Sequence, residues 1–339
     1  MRWMVLLASI AMSASSMPAN AETLIIAHRG ASAHLPEHTM AAYLLAYGQG
    51  ADFLEPDLVL TRDGVLVALH DRTLDATSDV AQVFPERARD DGRYYAIDFT
   101  LAELQRLNFG ERVEPFTGRS RYPDRWPVGQ GRFGIVPFDD LVETTRSLNR
   151  TTGRRVGLYP ELKYPDFHRD NGQDIAAALV AALDRHGLPA DDLPVWIQCF
   201  EPGTLRDLRE AHGDRFKRVQ LIGKNEWKEF DQDFEAMWTA EGLDAIAAYA
   251  DGIGPPLDRL VERTPDGPAA SAAFRAARER NLVVHPFTFR RESMPPEVAL
   301  EQMLGLFIHE LRVEALFTDH PGLAVAVREA VETRAQGPR

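Results

Sequence analysis

The sequence predicts a TIM (β/α)8 barrel of the α/β class, and three observations point there. Short apolar runs rich in β-branched residues alternate with longer stretches of helical period, eight of each. Polar and charged side chains stand at or just past the ends of those runs, where a barrel of this kind keeps its chemistry. One long segment, residues 72–135, breaks the alternation and reads as an insertion after a hairpin on the second strand. The spacing is uneven, and alternation alone would also suit an open doubly wound sheet; eight strands alternating with eight helices favour the barrel.

The chain opens Met1-Arg2, runs through an apolar stretch from Trp3 to Ala14 and reaches Ala19-Asn20-Ala21. A charged start, an apolar centre and an A-x-A cleavage site describe a secretory signal over residues 1–21, too short to span a bilayer. The single cysteine, Cys199, is far from that site, so it offers neither a lipid attachment point nor an internal disulfide. An exported, periplasmic protein is expected, with one domain over 22–339. The 339 residues carry a formal charge of −13. That balance repels nucleic acid and anionic membranes, and it admits an anionic substrate only where a cation and local basic residues reverse the field in a cleft.

The first strand, 24–27, leads into His28, Arg29 and Gly30. A helix over 37–48 follows, with Glu37 in the first turn, where the macrodipole favours an acid; that capping role is preferred for it, and support of the site's own residues is the alternative. The second strand, 53–60, carries Glu55 and Asp57. Asp63-Gly64 then reads as a two-residue turn into a return run at 65–69. With those two residues as the turn, Arg62 faces Val65 and Asp57 faces His70, so Glu55, Asp57 and His70 share one face. Leu54, Leu58, Leu60, Val65, Val67 and Leu69 make the other face, which is uniformly apolar.

The insertion is rich in Arg, Asp, Gly, Pro and aromatic residues, with a turn or two of helix near 100–107. It is expected to lie over the C-terminal mouth as a lid. Strands at 156–159, 195–199, 219–222, 251–253, 282–285 and 315–318 then alternate with helices at 138–149, 174–186, 202–212, 233–249, 268–280 and 296–311. A last helix at 322–333 closes the chain.

Glu55, Asp57 and Glu161 offer three carboxylates and no thiolate, a hard oxygen set that selects Ca²⁺ or Mg²⁺. Calcium is the first choice for an exported protein. His28 and His70 arrive from different strands, and a pair of imidazoles can move protons through a hydrolysis at neutral pH. Arg29 brings a planar fork and Lys163 a point charge, together suited to a phosphodiester and to the charge its transition state gains. Lys163 also neutralises Glu161. Gln198 and His285 end two further strands. His34, His38, His168, His186, His212, His309 and His320 lack such surroundings and read as surface or packing residues.

In order along the chain stand His-Arg-Gly (28–30), Pro-Glu-His-Thr (36–39), Glu-Pro-Asp (55–57), Asp-Gly (63–64), His-Asp (70–71), Glu-Leu-Lys (161–163) and Gln-Cys-Phe (198–200). This series resembles the signature of the glycerophosphodiester phosphodiesterases. Residues 90–100, 249–255 and 283–288 resemble the long periplasmic branch of that family. The resemblance implies a TIM barrel, a divalent metal (usually calcium in this branch) and hydrolysis of small soluble deacylated phospholipids. Glycerophosphocholine and glycerophosphoethanolamine are among them, and the products are sn-glycerol 3-phosphate and an alcohol.

Carried over, His28 and His70 are the acid–base pair, Glu55, Asp57 and Glu161 the metal ligands, and Arg29 and Lys163 the phosphate holders. A glycerol hydroxyl could attack first and give a cyclic phosphate, or water could attack directly; the sequence does not choose. His38 stands where Asn is common, and Phe287 and Phe289 replace a tryptophan of the short enzymes.

Three other readings fit less well. A metal-dependent amidohydrolase wants His-x-His after the first strand. A phospholipase D-like or phosphoinositide-specific barrel enzyme would show an aromatic and basic rim for lipid. A surface binding protein on this scaffold would have no need of the full set of acid, base and ligands. Head-group preference and oligomeric state are not legible.

Overall fold

The computed structural model describes residues 22–335 except 228, 229 and 266; the expected signal segment therefore lies outside the described residues. The first strand, β1 (Leu24–His28), is apolar until its last residue. It is followed by β2 (Phe53–Glu55), β3 (Asp57–Leu60), β4 (Leu66–Ala68), β5 (Gly157–Leu158), β6 (Glu161–Leu162), β7 (Trp196–Cys199), β8 (Lys217–Leu221) and β9 (Gly252–Gly254). A hairpin, β10 (Val261–Thr264) and β11 (Gly267–Ala270), precedes β12 (Val283–Val284) and β13 (Ala315–Thr318).

Two stretches of the barrel wall are broken at prolines. Pro56 separates β2 from β3, and Pro160 separates β5 from β6, because proline has no N–H for the ladder. Their carbonyls still accept, from the N–H groups of Glu161 and Gln198 at 2.9 and 3.0 Å. Counting each broken pair as one, neighbouring strands pair in parallel from β1 through β12. β1 also pairs with β13, and Phe289 bridges Thr318, so the cylinder closes.

The helices on the outside are α1 (Met40–Gly48), α2 (Phe138–Thr152), α3 (Ile175–Arg185), α4 (Pro202–His212), α5 (Ala240–Ala247), α6 (Ala272–Glu279), α7 (Leu300–Gly305) and α8 (Pro321–Ala335). Four differ from the sequence reading; α7, expected over 296–311, starts at Leu300 and passes into a π-helical stretch at Leu306–Glu310. Thr39 caps α1 by accepting from the Ala42 N–H, so that helix starts at Met40 and Glu37 lies before it. α5 is cut short by its own cap, Thr239. α6 starts at Ala272, after Ser271, because the hairpin β10–β11 occupies 261–270.

The barrel interior is aromatic. Tyr159 stacks on Trp196 at 6.0 Å and meets Phe317 edge-on at 5.1 Å and Phe53 at 5.8 Å. Only glycine fits at 157, since a Cβ there would fall 2.2 Å from the Phe53 ring and 2.7 Å from the Pro194 carbonyl. A second core lies beyond the barrel. Val59, Val67 and Leu69 pack with Leu74, Val80, Phe84, Phe99, Leu104 and Phe109, all from the 72–135 segment.

The hairpin corrects the expected register. Val59 pairs with Val67 and Leu58 with Ala68, and the Leu69 N–H donates to the Asp57 carbonyl. Asp57 thus lies opposite Leu69, not His70. The turn has three residues, Arg62, Asp63 and Gly64. Gly64 takes a left-handed φ of +76°, and the Thr61 N–H reaches the Val65 carbonyl at 3.0 Å. The slip of one residue moves Val65, Val67 and Leu69 away from the face assigned to them. That is why they bury against the segment instead of the barrel helices.

His168 and His285 are buried, and burial holds them neutral, at about 4 and about 3. Between those values and about 6.5 the unfolded chain binds protons that the folded chain refuses. Stability should therefore fall as pH drops below about 6.5, each histidine steepening the loss by up to about 1.4 kcal/mol per pH unit. Urea unfolding at a series of pH values should show this slope, and His168→Leu should flatten it; an unchanged slope would contradict the assignment.

Candidate active site

β1 delivers His28 at its last position. The chain then turns through Arg29 and Gly30 at φ of +59° and +85°. Gly30 is dictated by space, because a Cβ would fall 2.7 Å from the Ala42 backbone. Arg29, a non-glycine residue held in the left-handed region, is the kind of local strain that clusters at functional sites. Its N–H donates to Glu55 Oε2 at 2.7 Å, and its side chain reaches Asp57 at 3.1 Å and Glu37 at 3.1 Å.

β2 and β3 bring Glu55 and Asp57 to either side of the Pro56 break, and β6 places Glu161 in register with Asp57. Ligand atoms of the three acids lie within 4.8 Å of one another, and all three residues are buried. Gln198 donates to Glu55 at 3.0 Å, and Lys163 reaches Glu161 at 2.8 Å. Burial and the neighbouring carboxylates raise Glu55 well above the usual range, and burial pushes Glu161 up to about 8. Burial would lift Asp57 too, but Arg29 and Lys163 outweigh it and hold that carboxyl ionised.

His28 and His70 both line the cavity with this cluster. His28 Nδ1 bonds Asp319 Oδ1 at 2.7 Å, and His70 Nδ1 bonds Asp71 Oδ1 at 2.5 Å. A carboxylate only accepts, so each Nδ1 carries the proton and Nε2 is the nitrogen left to act as base. Burial, then the nearby cations, lowers His28 to about 4 and His70 to about 3, so both rings are neutral at pH 7.

The cavity, of about 1010 Å³, also takes in Arg29, Lys163 and Gln198. One wall is aromatic (Phe200, Trp227, Phe287), and Arg72 and Arg290 add positive charge. His28, Arg29, Glu55, Asp57, His70, Glu161 and Lys163 thus meet at one end of the cylinder with Gln198, whereas His285, the other strand-end residue singled out in the sequence, packs inward on Tyr159 and Trp196.

Sequence reasoning missed several others. His38 was set among surface or packing histidines, yet its Nε2 bonds Asp57 at 2.8 Å and its Nδ1 bonds Tyr43 at 2.7 Å. Glu37 takes the alternative role and not the preferred one: it lies before α1 and bridges Arg29 and Arg112. Asp319 directly follows β13, so the strand-end rule would have found it. Asp71 adjoins His70 and could have been named as its partner. Nothing in the sequence marks Arg72 or Arg290.

The chain matches the Glycerophosphoryl diester phosphodiesterase family over residues 28–323. It is 37% identical to a glycerophosphodiester phosphodiesterase of Haemophilus influenzae, over 92% of this chain and 91% of that protein. It is 32% identical to the one of Treponema pallidum, over 90% and 91%. Among solved structures, a phosphodiesterase of Oleispira antarctica in complex with the product sn-glycerol-3-phosphate superposes with a TM-score of 0.61. The identity is 21%, with coverage of 92% of this chain and 98% of that one. A putative glycerophosphoryl diester phosphodiesterase of Silicibacter pomeroyi gives 0.67 at 21% identity, over 92% and 95%. The two structures speak for the barrel; the matches in sequence, running through the whole described site, make this chain a member of the glycerophosphoryl diester phosphodiesterase family and an enzyme that hydrolyses phosphodiesters.

Proposed function

We propose that the protein hydrolyses small soluble glycerophosphodiesters, glycerophosphocholine and glycerophosphoethanolamine among them, to sn-glycerol 3-phosphate and an alcohol. One observation carries the reading: two neutral imidazoles, each tied through Nδ1 to its own carboxylate, line a cavity with Glu55 and Glu161 of the buried acid cluster and with the cations Arg29 and Lys163.

The acids suit a divalent cation. They are all oxygen donors, and Asp57 Oδ1 is buried without a hydrogen-bond partner. Glu55, Asp57 and Glu161 would hold the ion, calcium by preference and magnesium as the alternative. Bound there, it would supply Lewis acidity toward a phosphoryl oxygen and offset the repulsion among the acids.

The chain's own groups do the rest. Arg29 and Lys163 face the phosphate and answer the charge that grows on it. One histidine takes the proton of the attacking hydroxyl, from water or from the glycerol itself. The other, once its Nε2 has taken a proton from solvent, gives that proton to the departing alkoxide as its P–O bond breaks. Asp71 and Asp319 favour the imidazolium as it forms and fix each ring's tautomer.

A coupled assay for glycerol 3-phosphate, run across several head groups with Ca²⁺ and Mg²⁺ side by side, tests this. Release from glycerophosphocholine and glycerophosphoethanolamine is expected, faster with Ca²⁺. No release from any glycerophosphodiester would refute the reading. Export through a cleaved signal, and residence in the periplasm, belong to the same proposal.

A further inference from the structure

Each histidine's aspartate spends its second oxygen on an arginine, and both arginines come from the segment 72–135. Asp71 gives Oδ1 to His70 and Oδ2 to Arg112 Nη1, at 2.5 and 2.6 Å. Asp319 gives Oδ1 to His28 and Oδ2 to Arg125 Nη2, both at 2.7 Å. Neither arginine lines the cavity.

We propose that Arg112 and Arg125 are positioning residues for the reaction, each orienting one histidine through one aspartate. The inference rests on the acid–base reading above and adds a task for the segment: it completes two His–Asp–Arg chains.

The geometry argues for positioning beyond mere attachment. A carboxylate bonded only to a histidine can rotate about its terminal torsion and release the ring, whereas a second donor on the other oxygen fixes its plane. Both arginines are themselves pinned. Arg112 makes two bonds to Glu37, at 2.7 and 3.1 Å. Arg125 makes two to Glu292, at 2.6 and 3.0 Å, and one to the Ser32 carbonyl at 3.2 Å. The guanidinium fork is the group that can hold two acceptors in one plane; lysine would keep the charge and lose that geometry. Asp319, fully buried, also has Arg290 Nε at 3.5 Å, which helps keep it ionised.

The two chains differ in one respect. Glu37 also bonds Arg29, so Arg112 is linked to the phosphate side of the cavity as well, and Arg125 is the cleaner probe.

The test is a pair of mutant cycles on the full chain, with kcat, KM and unfolding temperature measured for each variant. Arg125→Gln should lower kcat by about ten- to a hundredfold with KM little changed. The double variant Asp319→Asn/Arg125→Gln should be no slower than Asp319→Asn alone. Arg112→Gln should behave likewise with Asp71→Asn. The crossed pair, Asp71→Asn with Arg125→Gln, should show effects that multiply. Arg125→Lys, which keeps the charge, should recover only part of the rate, and it serves if the glutamine variant fails to fold.

Multiplying effects within one chain, or a wild-type rate in both arginine variants, would overturn the proposal. His28→Ala and His70→Ala, run in the same series, separate the two levels. Slow histidine variants beside fast arginine variants sink this inference alone, and fast histidine variants sink the acid–base reading beneath it.

Discussion

Replacing His28 or His70 with alanine should lower kcat for glycerophosphocholine by on the order of a hundredfold or more, with KM moved far less. Each ring reaches the cavity from a different strand and is held by a different aspartate, so neither can stand in for the other. Arg29 and Lys163 stay in place in both variants and would continue to hold the phosphate. The loss should therefore appear in the chemical step and not in binding. A variant that turns over at nearly the parent rate would remove that histidine from the mechanism. On the proposed acid–base reading, two imidazoles that are neutral at pH 7 leave a base in hand and require the partner ring to take a proton from solvent before the alcohol leaves.

Full chelation with EDTA should abolish release of glycerol 3-phosphate, and Ca²⁺ or Mg²⁺ should restore it. In the empty cluster burial favours the protonated forms of Glu55 and Glu161. A divalent ion would displace those protons and supply the Lewis acidity that the protonated acids lack. Binding should also be visible without turnover. A ligand that recognises only the folded chain stabilises it by about 2.7 kcal/mol at a hundred times its Kd, so added Ca²⁺ should raise the unfolding temperature of the chelated protein. Glu161→Gln should blunt that rise. Hydrolysis that survives complete demetallation would rule the ion out.

Much of the site was legible because its residues sit at strand ends. His28, Glu55, Asp57 and Glu161 each interrupt an apolar run, and a buried charge there asks for an explanation that composition alone does not supply. The barrel followed from eight strands alternating with eight helices, unevenly spaced though they are.

What failed was geometry finer than the alternation. Asp63-Gly64 signals a hairpin, but the same dipeptide serves a two-residue turn or the end of a three-residue one, and the choice shifts every facing pair. His38 was invisible because its left-handed backbone, at φ of +60°, turns the ring toward Asp57 from a residue that reads as helix entry. Arg112 and Arg125 lie in a stretch with no period at all, where only the fold reveals what they touch.

His28 and the aspartate that orients it are separated by 291 positions, and the strand just before that aspartate is the one that seals the cylinder against β1. A nascent polypeptide can build most of its wall and still lack half of the proposed proton-transfer apparatus. On that proposal catalysis needs the chain through Asp319, and a chain terminated before residue 315 should be inert however well its earlier portion collapses.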